Sequence, residues 1–275
     1  MKILHHLLVP IDFSEHSDRA LQFAVDIAKQ TGADITLLHA IEPPYNTAIT
    51  IEGLTQSLEK KAKEELSAIR DRVIKELPED RSVFVDVTHG LPVPAIRDAA
   101  LECKADMIVM GSRGETGLKK ILFGSIASFV SSKSEIPVLL IPGKTSLSKL
   151  NHLLFTTDFR KADIDNYQRV LQLANELDAT TELFHVATDD SFETTLRERG
   201  FVGLIREHTD DTDATITVRH GEHILAEIAR YISQRNDTII VMNRYKKSIL
   251  QTLFDKNVTD EMAGYASSPL LILPS

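Results

Sequence analysis

The chain has 275 residues, enough for one large or two medium domains, and 43% of them are apolar, ample for a core. Its net charge of −9 argues against a nucleic-acid binder, which needs clustered basic residues. No apolar run reaches the ~18 residues of a membrane-spanning helix, and the single cysteine, Cys103, excludes an intramolecular disulfide and fits a reducing cytoplasm.

Ile3 to Ile11 reads as a first strand; its interruptions at His5, His6 and Pro10 and its close at Asp12 do not fit a signal peptide. Ser14 is placed to cap a helix whose stripe is Ala20, Phe23, Ala24, Ile27 and Ala28, and Gly32 to end it in a left-handed conformation. Asp34 to Ile41 is a second strand, and Pro43-Pro44 starts a loop. Leu54, Leu58, Ala62, Leu66, Ile69 and Val73 mark a long helix, and the Lys and Glu run on its other side is a solvated face. Ser82 to Thr88 is a third strand. Gly90 and Pro92 lead to a helix with Ile96, Ala99 and Ala100 inward, and Cys103 reads there as an inert, half-buried thiol. Met107 to Met110 is a fourth strand and Pro137 to Ile141 a fifth. This alternation predicts a parallel sheet with helices on both faces and right-handed crossovers.

Between the fourth and fifth strands lies MGSRGETGLKKILFGS, Met110 to Ser125. Gly111, Gly114 and Gly124-Ser125 fall at the spacing G-x2-G-x9-G-S, and Ile126, Phe129 and Val130 continue as a helix. Glycines after a strand allow a turn with positive φ and close approach of a ligand to the main chain. The amides that open the helix form an anion site, phosphate foremost, and Arg113, Lys119 and Lys120 add positive charge. The blander reading is a glycine-rich surface turn. Asp12 and Gly111 both end strands, so in the order 3-2-1-4-5 they meet at the point where strand order reverses, where such sheets bind ligands.

The second half repeats the first. NHLLFTTD (Asn151 to Asp158) matches HHLLVPID, ATTELFHV (Ala179 to Val186) matches ADITLLHA, and TIIVM (Thr238 to Met242) matches the fourth strand. The offset falls from 146 to 131, so the second copy has a shorter second helix, and Thr145 to Leu150 is the linker between domains 1–145 and 146–275. Met242 to Lys256 has no glycine: Asn243 stands for Gly111 and Asp255-Lys256 for Gly124-Ser125. The second copy is therefore expected to have lost the phosphate cradle.

On VPIDFSEHS, LLHAIEPP, MGSRG…FGS and IPVLLIP in its first half, and on the repeat, the chain resembles a tandem universal stress protein whose first copy is of the ATP-binding type. The resemblance implies two tandem, open, five-stranded parallel sheets of a Rossmann-like α/β kind, similar to the adenine nucleotide alpha hydrolases. It implies ATP, with or without Mg²⁺, as the ligand of a cytoplasmic stress-response module. Adenine would lie against Pro10, Ile11 and the backbone of Ala40, with Asp12 as an acceptor and Met110 on the wall. Gly111, Arg113 and Gly114 would line ribose and phosphates, with Gly124, Ser125 and Ile126 at the phosphate end.

The fifth strands, Val138 to Ile141 and Leu270 to Leu273, are apolar and bounded by prolines. Unpaired, such edges aggregate, so pairing within the chain is expected, as a pseudo-two-fold pseudo-dimer; two chains could also associate. No Walker lysine motif is present, and Asp12 lacks a second carboxylate beside it. Slow ATP hydrolysis is the most catalysis expected. A non-nucleotide ligand or a metal in the second copy is the alternative, although His39 and His185 at equivalent places suggest packing rather than ligation.

Overall fold

The computed structural model describes residues 2–42, 52–113, 123–143, 151–233, 235, 237–244 and 268–274. In the first half, β1 (His6–Pro10), α1 (Glu15–Thr31), β2 (Asp34–Ile41), α2 (Glu52–Val73), β3 (Val83–His89), α3 (Pro92–Glu102), β4 (Met107–Gly111), α4 (Ser125–Lys133) and β5 (Val138–Ile141) follow one another. The second half runs β6 (His152–Thr156), α5 (Lys161–Glu176), β7 (Thr180–Ala187), α6 (Phe192–His208), β8 (Ile216–His220), α7 (Ile224–Ile232), β9 (Thr238–Asn243) and β10 (Leu270–Leu273). As the offset in the repeat predicts, α6 is shorter than α2, 17 residues against 22. Thr145 to Leu150, Pro43, Pro44, Gly114, Lys119, Lys120, Asp255 and Lys256 lie outside the described residues.

Each half has its strands in the expected order, β3-β2-β1-β4-β5 and β8-β7-β6-β9-β10, all parallel. The two expected sheets are not separate. β5 and β10 pair antiparallel, Leu270 opposite Leu140, Leu271 opposite Leu139 and Ile272 opposite Val138, so the ten strands form one mixed sheet. The pairing satisfies two apolar edges that would otherwise face water. Further ties cross the same seam: the Glu176 carboxylate accepts from the amides of Ile3 and Leu4, and the Arg244 guanidinium donates to the Ser134 carbonyl.

Side chains alternate across a strand, and the core divides accordingly. Leu7, Val9, Ile35 and Leu37 face α1, α2, α5 and α6, whereas Leu8, Leu38, Ile108 and Met110 face α3, α4 and α7. The sheet is thus covered on both faces, which is why its central strands are almost uniformly apolar. The α1 stripe is buried throughout, Ser14 caps the helix by accepting the Ser17 amide, and Gly32 ends it at φ 66° with its amide on the Ala28 carbonyl. In α4 the buried residues are Ala127, Val130 and Ser131, while Ile126 and Phe129 are exposed. The helix is where the sequence predicts it, turned so that small residues meet the sheet. Cys103 caps the C-terminus of α3, and burial raises its thiol pKa, which keeps it protonated and unreactive.

Candidate functional site

β1 and β4 are neighbours, Leu7 beside Met107 and Leu8 beside Ile108, and their chains leave in opposite directions, towards β2 and β5. At their carboxyl ends the sheet cannot close, and a cleft of about 770 Å³, its mouth included, lies there.

The first wall grows from the end of β1. Pro10 is the last strand residue, and Ile11 donates its amide to the Leu38 carbonyl at 2.7 Å. Asp12 then turns out of the sheet. Its Oδ1 accepts from the amide of Ser14 (3.1 Å) and from the Ser14 hydroxyl (2.6 Å), so the carboxylate organises the start of α1. Phe13 is held at φ 61°, a conformation costly for an aromatic residue, and its ring lies 4.7 Å from that of His39. The His39 Nδ1 is 2.7 Å from the Ile11 carbonyl oxygen. That is the packing role its repeated position suggests.

Gly111 ends β4. A Cβ on it would stand 3.0 Å from the carbonyl carbon and oxygen of His16 and from the Arg113 carbonyl oxygen, so a side chain fits there only if the backbone of α1 shifts by a few tenths of an ångström. The expected use of positive φ does not hold for Gly111 or Gly124. Among the described residues the glycines with positive φ are Gly32 and Gly90, and Gly124 sits at φ −71°, ψ 163°. Close approach, rather than left-handed backbone, is what calls for glycine at 111.

Gly124 is the N-cap of α4 and donates its amide to the Ser112 carbonyl at 2.7 Å, which draws the helix start onto the end of β4. Its lack of a side chain leaves the first turn without a side-chain cap, and no acidic residue stands in that turn. The amides of Ser125, Ile126 and Ala127 therefore present the positive end of the helix to the cleft.

Of the expected site residues, Pro10, Ile11, Asp12, Ala40, Met110, Gly111, Arg113, Gly124, Ser125 and Ile126 all line this one cleft, and Gly114 lies outside the described residues. Ser17, Leu38, His39, Pro92, Ile96 and Ala127 also line it and were not foreseen. The proline that opens α3 and the small residue one turn into α1 are signals that could have found two of them.

The equivalent place in the second half keeps the frame and loses the space. Phe159 stands at φ 60° with its ring 4.2 Å from His185, and His185 Nδ1 is 2.8 Å from the Thr157 carbonyl oxygen. But Asn243, where the first half has Gly111, is fully buried. Its amide donates to Asp163 Oδ1 (2.5 Å) and its oxygen accepts from Asn166 (2.6 Å). Asp163 Oδ2 accepts the Thr157 hydroxyl (2.7 Å) and the amides of Asp158 and Arg160. By the repeat, Asp163 and Asn166 take the places of Ser17 and Ala20.

Two further histidines meet carboxylates: His220 with Asp190 at 2.7 Å and His152 with Glu182 at 3.1 Å. Among the described residues no group of three His, Cys, Asp or Glu could hold a metal ion.

The model of the "Universal stress protein family" matches residues 4–142. The stress response protein NhaX of Bacillus subtilis is 33% identical over 159 residues, 49% of this chain and 96% of that protein. Universal stress protein MJ0577 of Methanocaldococcus jannaschii is 31% identical over 155 residues, 51% of this chain and 96% of that one. A solved universal stress protein from Archaeoglobus fulgidus covers 98% of this chain and 96% of its own, with a TM-score of 0.73 at 22% identity, and so shares the two-half fold. Since the family model spans the first half, these relatives are about half as long as the chain, and its second half repeats the same strand order, the chain belongs to the universal stress protein family, in tandem form.

Proposed function

We propose that the first half, residues 1–145, is a domain that binds ATP and serves as a nucleotide-dependent regulatory module in a cytoplasmic stress response. The observation that carries this reading is that ten residues drawn from four separate stretches of sequence line a single cleft. That cleft has an apolar wall of Pro10, Ile11 and Met110 suited to a purine face. Opposite lies a helix start whose uncapped amides suit phosphate oxygens. Gly111 keeps the floor free of side chains, and Arg113 adds a cation at the rim. Asp12 would accept from the ligand's hydroxyl or amino hydrogens while its Oδ1 holds the α1 turn. Magnesium would arrive with the phosphates.

Residues 146–275 form, in this reading, a second domain of the same fold whose cleft is filled by its own side chains. The β5–β10 pairing makes the two a pseudo-dimer within one chain. Titration calorimetry with ATP, AMP and a pyrimidine triphosphate tests the proposal. ATP should bind with one site per chain and better than the pyrimidine; no heat with any adenine nucleotide overturns it.

A further inference from the structure

The outer face of α6 differs in kind from that of its first-half counterpart. α2 shows water a mesh of lysine–glutamate pairs, Lys60–Glu64, Lys61–Glu65 and Lys63–Glu59. α6 shows it Phe192, 80% exposed, Leu196, 59%, and Leu204, 42%. These residues recur at multiples of four, so they stand on one side of the helix. Gly200 and Gly203 interrupt the same helix. Among the described residues a Cβ at either would meet nothing within 4 Å, and neither has positive φ, so no packing or turn among them calls for glycine there. Glycine in a helix interior is unfavourable. A surface that needs it for close approach of another backbone accounts for its presence.

Beside this face, between the start of α5 and α6, runs an open groove. Its floor is Phe159, Ile164, Phe201 and Leu204, and its walls carry Arg160, Lys161, Arg197 and His208 against one carboxylate, Asp165. Glu193 partly offsets Arg197 at 2.6 Å. The lining is still net positive on a chain of net charge −9. We infer that the α5–α6 groove docks an acidic amphipathic helix of a partner protein, its apolar side on Leu196, Gly200 and Leu204 and its carboxylates towards Arg160, Lys161 and Arg197. A second copy of this chain fits less well. Antiparallel α6–α6 contact centred on Gly200 brings Glu193 of one copy against Glu207 of the other.

The test uses the full chain and two synthetic helical peptides of about 18 residues. Both carry leucines at i, i+4, i+7 and i+11; one has glutamates on the flanks and the other lysines. The glutamate peptide should bind at least about tenfold tighter by fluorescence anisotropy, and more weakly as salt rises. An R160E/K161E variant should lose at least about tenfold in affinity for it. Replacing Gly200 and Gly203 by glutamine should raise the thermal midpoint, since glutamine favours helix, and yet weaken the peptide; a purely structural role for the glycines would not give that opposition. Equal binding of both peptides, no binding of either, or self-association of the free chain abolished by L196S each overturns the inference.

Discussion

The two clefts sit at the same bend of the same fold, and among the described residues they differ at three positions that meet beside the end of the fourth strand. In the first half Ser17, Ala20 and Gly111 leave the end of β4 open. In the second, Asp163, Asn166 and Asn243 close it with hydrogen bonds made among themselves. The surrounding frame has not changed: the left-handed phenylalanine and the histidine bonded to the carbonyl at the end of the first strand recur in both. An open cleft that depends on a missing side chain is therefore closed without disturbing the fold, once side chains that satisfy one another occupy the gap. Buried polar groups are tolerated when fully paired, and here each new one brings its partner.

The strongest way to break that comparison is to remove the hub. Asp163→Ala leaves the Thr157 hydroxyl, the Asn243 amide and two backbone amides without their acceptor, and should cost about 3–5 kcal/mol in urea unfolding. A loss near that of an ordinary surface substitution would show that the network is not what holds the second cleft shut.

Importing one member into the first half tests the converse. Gly111→Asn places a side chain against the backbone of His16, and nucleotide affinity should fall at least about a hundredfold, with an overpacking cost of about 1–3 kcal/mol. Asn243→Gly alone should not create a second nucleotide site, because Asp163 still faces the gap.

The shared frame predicts matched effects. His39→Leu and His185→Leu each remove one ring–carbonyl bond and one aromatic contact, so each should cost about 1–2 kcal/mol, the two values close to each other. A large difference would mean that the frames are not equivalent.

The smallest effect is a titration. Glu182 is partly buried, which raises its pKa. Bonds from Tyr231 and Thr217 and the nearby Arg235 and His152 outweigh that and hold it below the ordinary carboxylate value. Its stabilisation is present above the unfolded pKa and is lost as pH falls through the folded one. Glu182→Gln should flatten the acid limb of the stability profile by no more than about 1 kcal/mol. The first half has Thr36 at that place, bonded to His6, so no carboxylate stands there.

Much of this was legible beforehand because it rests on local pattern. Apolar runs bounded by Asp or Gly marked the strands, and the repeat in NHLLFTTD and TIIVM marked the second half. The strand order and the β5–β10 pairing agree with expectation. What escaped depends on long-range contacts. Asp163 and Asn166, in a helical stretch, look like solvated residues, yet both are buried; their partner Asn243 lies about eighty residues away. Gly111 looks like a turn glycine, and only the course of α1 shows that its missing side chain matters. Ile126 and Phe129 carry a helical period that α4 turns to solvent.

The central claim is that one cleft of the two admits a nucleotide. The direct measurement is the stoichiometry of ATP binding by calorimetry, on the natural chain and on the G111N variant. One ATP per chain is expected, and none after the substitution in a protein that remains folded by circular dichroism. Two ATP per chain, or one that persists in G111N, would contradict it.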